Sequence, residues 1–206
     1  MTVAASTHEP LLVFDATVLH HFALADRLDV LADLVTGRRV ATTAVVLDEL
    51  RTSAEGMPAL TAALNLAWVE VIALDTIAEL HRFSTWVRRV GAGRRDLGEA
   101  SVFAAAEIHG GTAVTDDRKA TKVGRKYGLA VHGTIWLLAD SCQAGRLTEV
   151  NAGAIIDALR GTQHRLPCTG AEFPSYARKA GLLQLSPARI PSPTRPSTGT
   201  PAQAHD

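Results

Sequence analysis

Acidic residues recur at points where the sequence pattern predicts the end of a strand or the first turns of a helix. Asp15 directly follows the apolar run 11–14, and two more carboxylates follow the β-prone run 112–115. A carboxylate beside a buried strand is costly unless a partner neutralises it. Clustered carboxylates also raise one another's pKa, so a convergent set predicts a bound cation. The candidates are Asp15, Glu49, Glu99, Asp116 and Asp117.

A set of ligands made only of oxygen indicates a hard divalent ion. Mg²⁺ typically takes one or two carboxylates together with water molecules and substrate phosphate. A cation held in this way activates water and stabilises the negative charge that develops on phosphorus. If the fold gathers these residues, the chemistry that they predict is hydrolysis of a phosphodiester.

Each acid also has an ordinary structural explanation, which the sequence leaves open. Asp15 is placed to cap a helix that follows it, and Glu49 considered alone is typical of a solvated surface. Asp48 and Glu49 are adjacent, so they point about 100° apart on a helix and only one of them can face a site. Glu49 follows the apolar Val45 by four residues and shares its face, so we expect Asp48 to be the solvated residue.

Asp96 and Glu99 precede an alanine-rich segment that favours a helix and that ends at Gly110 and Gly111. Their spacing is that of a capping box, in which the N-cap residue and the third helical residue bond each other's backbone N–H groups. We therefore expect Asp96 to be the N-cap. Capping and ligand roles both stay open for Glu99.

The elements that must position these acids alternate between strand and helix along the chain. This alternation predicts an α/β fold with a parallel sheet covered by helices on both faces, and ligands gather at the carboxyl ends of such strands. The predicted strands are 11–14, 39–42, 69–74, 112–115 and 129–131, with helices at 18–24, 30–35, 44–50, 58–66, 76–90, 96–108, 118–127, 134–143, 151–159 and 173–180.

The chain divides by composition into a core and flanking segments. We predict an N-terminal tail at 1–9, a catalytic domain at 10–145 and a helical extension at 146–185. The last 21 residues, 186–206, contain five of the nine prolines and little apolar surface, which predicts a disordered tail.

Composition excludes several classes of protein. Lys+Arg and Asp+Glu both number 21 among 206 residues, so any basic nucleic-acid surface must be local. No apolar run is long enough to span a bilayer, and the first ten residues do not resemble a signal peptide. Two cysteines without metal-ligand spacing are typical of free thiols in a reducing cytosol, so we expect a cytoplasmic protein without a membrane association.

Four motifs in this order resemble those of the PIN-domain nucleases, over about residues 10–140. They are the strand that ends in Asp15-Ala-Thr17, the segment Val46-Leu-Asp-Glu49-Leu, the segment Gly98-Glu99-Ala-Ser, and the segment Ala113-Val-Thr-Asp-Asp117-Arg-Lys. Residues 128–183, which include Gly133-Thr-Ile-Trp-Leu-Leu, are similar to the bacterial PIN subgroup related to toxins of type II toxin–antitoxin pairs.

The resemblance implies a Rossmann-like, three-layer α/β/α fold and an Mg²⁺- or Mn²⁺-dependent endoribonuclease. It implies that Asp15, Glu49, Glu99 and Asp117 are the catalytic, metal-binding acids, that Asp116 is a second candidate ligand beside Asp117, and that Thr17 and Thr115 are polar helpers. The third acid of the family is commonly Asp, whereas this chain has Glu99, which is one methylene longer. Related toxins imply an antitoxin partner and a homodimer.

An RNA substrate directs attention to two basic clusters, one around residues 88–95 and one at 118–126. Arginine's planar group suits phosphate, and the lysines of the second cluster recur at three and four residues along one helix face. A solvated face explains both clusters equally well. The candidate RNA contacts are Arg94, Arg95, Arg118, Lys119 and Lys122.

Three other interpretations compete with the nuclease. A phosphatase of the haloacid dehalogenase type needs a second Asp two residues after the first, and position 17 is Thr. Zinc chemistry is disfavoured because the eight histidines show no ligand spacing, and the neighbours His20 and His21 cannot both face one ion. The main alternative is a catalytically inactive PIN-like module that binds nucleic acid or protein.

Overall fold

The computed structural model describes residues 11–184, apart from the side chains of Arg94 and Arg95. The predicted tails at 1–9 and 186–206 lie outside these described residues. A central sheet contains five strands, each of which runs parallel to its neighbours. The strands are β1 (Leu11–Phe14), β2 (Arg39–Thr43), β3 (Glu70–Ile72), β4 (Thr112–Val114) and β5 (Val131–His132), in the spatial order β3-β2-β1-β4-β5.

Helices cover both faces of this sheet, which confirms the predicted three-layer α/β/α fold. They are α1 (Ala16–Leu24), α2 (Leu28–Leu34), α3 (Ala44–Ala54), α4 (Ile77–Val90), α5 (Arg94–Ile108), α6 (Arg118–Lys126), α7 (Thr134–Gln143), α8 (Glu149–Gly161) and α9 (Phe173–Lys179), with a 3-10 helix at Pro58–Leu64. One layer is formed by α5, which lies on β1, β2 and β4 and packs against α4 and α6. In the other layer α7 packs against α2, α8 and α9, and α8 contacts α1.

The core is densest around β1, the central strand. All four of its residues are buried, as expected for a parallel strand with a layer on each face. The run 100–106 on α5 is also buried throughout and is rich in alanine, so this helix can lie close to the sheet.

The structure differs from the sequence-based expectation mainly at the edges of the sheet. β3 covers 70–72 rather than 69–74, because it pairs only with β2 and Leu74 already turns with φ +56°. β5 begins at Val131 rather than at 129, because the N–H of Leu129 bonds back to the carbonyl of Gly124 at the end of α6. The segment from Pro58 is a 3-10 helix rather than a full α-helix.

Sheet order determines where a ligand would lie. The chain passes from β1 to β2 and β3 on one side, and then returns to place β4 and β5 on the other side of β1. Ligands of open α/β sheets bind at the carboxyl ends of the strands where the order reverses in this way. In this sheet that point lies between β1 and β4, the strands that precede Asp15 and Asp116–Asp117.

Residues beyond 145 form helices that pack on the rest of the fold. Ile156 and Leu159 of α8, with Phe173 and Ala177 of α9, are buried in the same apolar core as the sheet. The domain boundary at 145 stays a prediction. Within 11–184, none of the helices is both long and apolar enough to cross a membrane.

Candidate active site

Asp15 leaves the sheet at the end of β1 and is almost fully buried. Its backbone N–H donates to the carbonyl of Val114, so β1 and β4 stay paired up to this residue. Its carboxylate accepts from the N–H of Thr17 at 3.4 Å, which makes Asp15 the N-cap of α1, and from the hydroxyl of Thr115 at 3.0 Å. Burial raises the pKa of Asp15, and the hydrogen bonds from Thr17 and Thr115 oppose that rise.

Thr115 joins two of the acids. Its hydroxyl donates to Asp15 and accepts from the backbone N–H of Asp117 at 3.2 Å. Oδ1 of Asp117 in turn accepts from the N–H groups of Lys119 at 2.6 Å and Ala120 at 2.8 Å, so Asp117 is the N-cap of α6. Each acid is therefore oriented by a helix that starts beside it.

Glu49 lies on α3, and a chain of buried hydrogen bonds between α3 and α5 positions this helix near Asp15 and Asp117. The hydroxyl of Thr43 caps α3 by accepting from the N–H of Val46 at 3.2 Å, and it contacts the hydroxyl of Ser101 at 2.6 Å. Because the Ser101 hydroxyl donates to the carbonyl of Gly98 at 2.6 Å, the Thr43 hydroxyl must be the donor of the pair. These contacts fix the first turn of α3 against α5.

Gly98 leaves the space that Glu49 occupies. A Cβ at Gly98 would lie 2.6 Å from Oε2 of Glu49, closer than any real contact of this kind. Asp48, the neighbouring acid, is exposed and pairs with Arg51. The expectation that Asp48 is the solvated residue of this pair is confirmed.

Glu99 is half-buried and shows that the acids act on one another. Burial, followed by the negative charges of Asp15, Asp117, Asp96 and Glu49, raises the pKa of Glu99 to about 8. Near neutral pH, a glutamate in this environment keeps its proton.

Four of the predicted acids line a single polar cavity of about 230 Å³, the acidic pocket. It opens at the carboxyl ends of β1 and β4, where the strand order reverses. Its lining consists of Asp15, Ala16, Thr17, His20, His21, Glu49, Leu50, Ser53, Glu99 and Asp117.

Asp116 lies elsewhere, although it adjoins Asp117. Its carboxylate accepts from the N–H of Thr134 at 2.9 Å and the hydroxyl of Thr134 at 2.6 Å, and it contacts Nε2 of His164 at 2.9 Å. Burial raises the pKa of Asp116, but the hydrogen bonds from His164 and Thr134 outweigh it, so the pKa lies below its usual value. Of the two carboxylates left open by the sequence, the structure brings Asp117 to the pocket and uses Asp116 to anchor α7.

The prediction that Asp96 is an N-cap is wrong. Helix α5 begins one turn earlier, with Gly93 as the N-cap, and Asp96 is the third helical residue. There its carboxylate accepts from the backbone N–H of Gly93 at 3.0 Å, which is the role the sequence had offered to Glu99. Glu99 lies one turn further along the helix and takes no part in this capping interaction.

Two histidines that were not predicted as site residues line the acidic pocket, namely His20 and His21. Nδ1 of His21 is 2.8 Å from the hydroxyl of Thr162, and that hydroxyl donates to the carbonyl of Leu159, so His21 donates from Nδ1. The His21 ring stacks on His164, with centroids 3.9 Å apart. Burial, followed by the charges of His164 and His20, lowers the pKa of His21 to about 4, so its ring is neutral at pH 7.

The predicted basic contacts are only partly described. Arg118, Lys119 and Lys122 are exposed on α6, at the end of the helix that Asp117 caps. The side chains of Arg94 and Arg95 lie outside the described part of the structure.

The residues of the acidic pocket suit a hard divalent cation by their chemistry. Four acidic side chains converge, and burial together with the negative charges of its neighbours raises the pKa of Glu99. Among residues 11–184, however, no three Asp, Glu, His or Cys side chains stand close enough together to form a ready-made metal site.

The fold and this pocket define a class, a parallel three-layer α/β protein with an acidic cleft at its strand-order reversal. A family model described as PIN domain matches residues 11–171. The chain belongs to the PIN-domain family, which confirms the resemblance seen in the sequence.

One solved structure with a similar fold is the crystal structure of VapBC2 from Rickettsia felis bound to a DNA fragment from their promoter. It matches with a TM-score of 0.46 and 13% sequence identity, over 60% of this chain and 98% of the matched chain. No curated protein matches the chain.

Proposed function

We propose that this protein is a metal-dependent endoribonuclease that hydrolyses RNA phosphodiester bonds with Mg²⁺ or Mn²⁺. PIN domains are generally nucleases. The observation that carries the proposal is the convergence of Asp15, Glu49, Glu99 and Asp117, from four separate segments, on one polar pocket. Family membership alone would fit an inactive domain as well, whereas convergent acids that raise a neighbour's pKa are costly without a cation to neutralise them.

The chain's own residues supply most of the organisation that hydrolysis needs. In this proposal Asp15 and Asp117 would hold the cation, in orientations fixed by Thr115 and by the helices that they cap. Glu99 would offer a further carboxyl oxygen, and Glu49, whose carboxylate lies against Gly98, would complete the acidic wall. A bound divalent ion would supply activation of water and stabilisation of charge on the phosphate. Thr17 belongs to the lining and keeps its role as a polar helper.

The direct test is cleavage of a single-stranded RNA by the purified chain with Mg²⁺ or Mn²⁺ and with EDTA. Asp15→Asn and Glu49→Gln should each lower the rate by more than about 100-fold, beyond the 10- to 100-fold typical of outer-shell partners of a metal. Asp48→Asn is a matched control, because Asp48 adjoins Glu49 on the same helix but faces solvent. It should cleave like the parent.

Two outcomes would contradict the nuclease. Cleavage that persists in EDTA, or in the Asp15→Asn variant, would show that the reaction does not depend on a metal at this site. RNA binding without any cleavage in either metal would instead support a catalytically inactive PIN-like module.

We further propose that the protein is the toxin of a toxin–antitoxin pair and forms a homodimer. Support comes from the segment Gly133-Thr-Ile-Trp-Leu-Leu, which resembles that of the toxin-related PIN subgroup and begins α7. Light scattering of the purified chain tests the dimer. The toxin role is tested by induced expression, which should arrest growth in the parent but not in Asp15→Asn. Growth unaffected by an active parent enzyme would refute it.

A further inference from the structure

A second cavity, of about 200 Å³, lies directly beside the acidic pocket and has both polar and apolar residues in its lining. The two cavities share the turn between β4 and α6. Thr115 lines the second cavity while donating to Asp15 of the first, and the adjacent residues Asp117 and Arg118 line the first and the second respectively. A polymer whose phosphate lies among the acids would therefore reach the second cavity with its neighbouring unit.

Three arginines line this cavity, which we name the arginine pocket. Arg125 is held in place, because its guanidinium donates twice to the carbonyl of Val131, at 3.2 and 2.8 Å. Arg118 and Arg165 are exposed, and neither makes a hydrogen bond or ion pair with any residue in the described range 11–184. Guanidinium groups without partners favour an anion, and their planar fork fits phosphate in particular.

Asp116 is the acid in the lining of this pocket, and its carboxylate oxygens already have hydrogen-bond partners. It accepts two hydrogen bonds from Thr134, and Nε2 of His164 lies 2.9 Å from its carboxylate. Since an ionised carboxylate can only accept, His164 donates from Nε2. Three arginines against one carboxylate leave the lining of the pocket with an excess of positive charge.

Besides the imidazole of His132, two aromatic rings line the arginine pocket, and only that of Tyr176 is unstacked. Trp136 is stacked by His132, with centroids 4.2 Å apart, and the guanidinium of Arg38 lies 5.0 Å from its ring. Tyr176 is 36% exposed and stacks on no other ring in the described structure. It projects from α9, which is anchored in the core by Phe173 and Ala177.

Open aromatic rings beside unpaired arginines are the combination that binds single-stranded nucleic acid, because bases stack on rings and phosphates pair with guanidinium groups. We propose that the arginine pocket binds one unpaired nucleotide of the RNA next to the cleaved bond, with its base on Tyr176 and its phosphate between Arg118 and Arg165. This inference rests on the proposed function. It gives residues beyond 145, the predicted helical extension, a direct part in holding substrate.

The test measures binding of a short fluorescent single-stranded RNA in EDTA, so that it does not depend on cleavage. Tyr176→Ala should weaken binding by about 5- to 140-fold, the range expected for loss of one base–aromatic stack. Tyr176→Phe keeps the ring and should bind RNA like the parent. If the hydroxyl group rather than the ring were responsible for binding, Tyr176→Phe would bind as weakly as Tyr176→Ala. Equal melting temperatures of the variants would show that the fold is intact.

The arginines are tested by the salt dependence of binding. Arg165→Gln should flatten the slope of log affinity against log salt by about 0.7, the value for one phosphate contact on a single strand. Arg27→Gln is the matched control, because Arg27 is exposed and lines neither pocket. An unchanged slope for Arg165→Gln would overturn the phosphate contact.

The outcomes separate this inference from the nuclease itself. If the parent cleaves RNA and Tyr176→Ala binds and cleaves RNA as the parent does, the protein is a nuclease but the arginine pocket is not a substrate site. If Tyr176→Ala loses binding but no variant or parent cleaves, the site stands and the nuclease fails. Equal competition by double-stranded RNA would overturn the inference, because paired bases cannot stack on Tyr176.

Discussion

Replacing Glu99 by glutamine tests whether burial and the neighbouring acids together hold a proton on Glu99 when no divalent cation is supplied. Glutamine has nearly the shape of a protonated glutamate but cannot ionise. The pKa of Glu99 is raised to about 8 by burial and by neighbouring acids, whereas in the unfolded chain it lies near 4.5. Folding stability from this residue is therefore fully present below pH 4.5 and is lost as the pH rises towards about 8.

The size of this loss follows from the difference between the two pKa values. At about 1.36 kcal/mol per pH unit, the rise from 4.5 to about 8 corresponds to about 5 kcal/mol. Because the side chain is only half-buried and solvent screens its neighbours, we expect roughly 2–3 kcal/mol. Glu99→Gln should match the parent near pH 4.5 and be more stable by about that amount at pH 8.5.

Urea unfolding in EDTA at several pH values measures this difference directly. Glu55→Gln is the control, since Glu55 is an exposed glutamate outside the pocket, and its stability should follow the parent at every pH. Adding Mg²⁺ at pH 8 should stabilise the parent, because a cation that binds only the folded state shifts the equilibrium towards it, and should stabilise Glu99→Gln much less. A difference between Glu99→Gln and the parent that does not change with pH would refute the raised pKa of Glu99 in this pocket.

Three further changes test single features of the pocket. Gly98→Ala should displace the Glu49 carboxylate and lower the rate of cleavage. The free energy of unfolding in urea should stay unchanged or rise by up to about 1 kcal/mol, because alanine favours the helix. Full activity would show that this carboxylate is free to shift. Thr115→Val breaks the link between Asp15 and Asp117 and should weaken Mg²⁺ binding measured by calorimetry, whereas unchanged affinity would make the hydroxyl dispensable. The lowered pKa of His21 means that stability is lost as the pH falls from 6.5 towards about 4, and His21→Gln should reduce that acid sensitivity in thermal melts. An identical pH profile in His21→Gln would assign the sensitivity to other groups.

The sequence was most informative where one residue pattern had one physical explanation. The apolar run 11–14 had to be a buried strand, and the alternation that follows it led to the parallel sheet that the structure confirms. Edge elements were less predictable, because the length of β3 depends on a single neighbouring strand rather than on its own residues. The start of α5 was missed because Asp96 suits both the N-cap and the third helical position, and only the path of the chain at Gly93 decides between them.

Side-chain direction was the other limit on prediction. Nothing in the pair Asp116-Asp117 shows which carboxylate faces the pocket, because the answer depends on Thr134 and His164, which are distant in sequence. The histidines of α1 did carry a signal. His20 and His21 follow Thr17 by three and four residues and therefore share its helix face. A pocket lined by Thr17 should therefore be lined by both histidines as well, as the structure shows.

Capping and metal binding first looked like rival explanations of the same acids, and the structure removes that conflict for Asp15 and Asp117. Both residues are N-caps, and both line the acidic pocket. A cap fixes the direction of a carboxylate and places it at the positive end of a helix, which offsets part of the cost of keeping charges together. Glu99 has no such cap, and burial together with its acidic neighbours raises its pKa to about 8. The cap of Asp15 does not cancel the effect of its near-complete burial, because the pKa of Asp15 is raised as well. Both groups should give up a proton more readily once a cation neutralises the pocket.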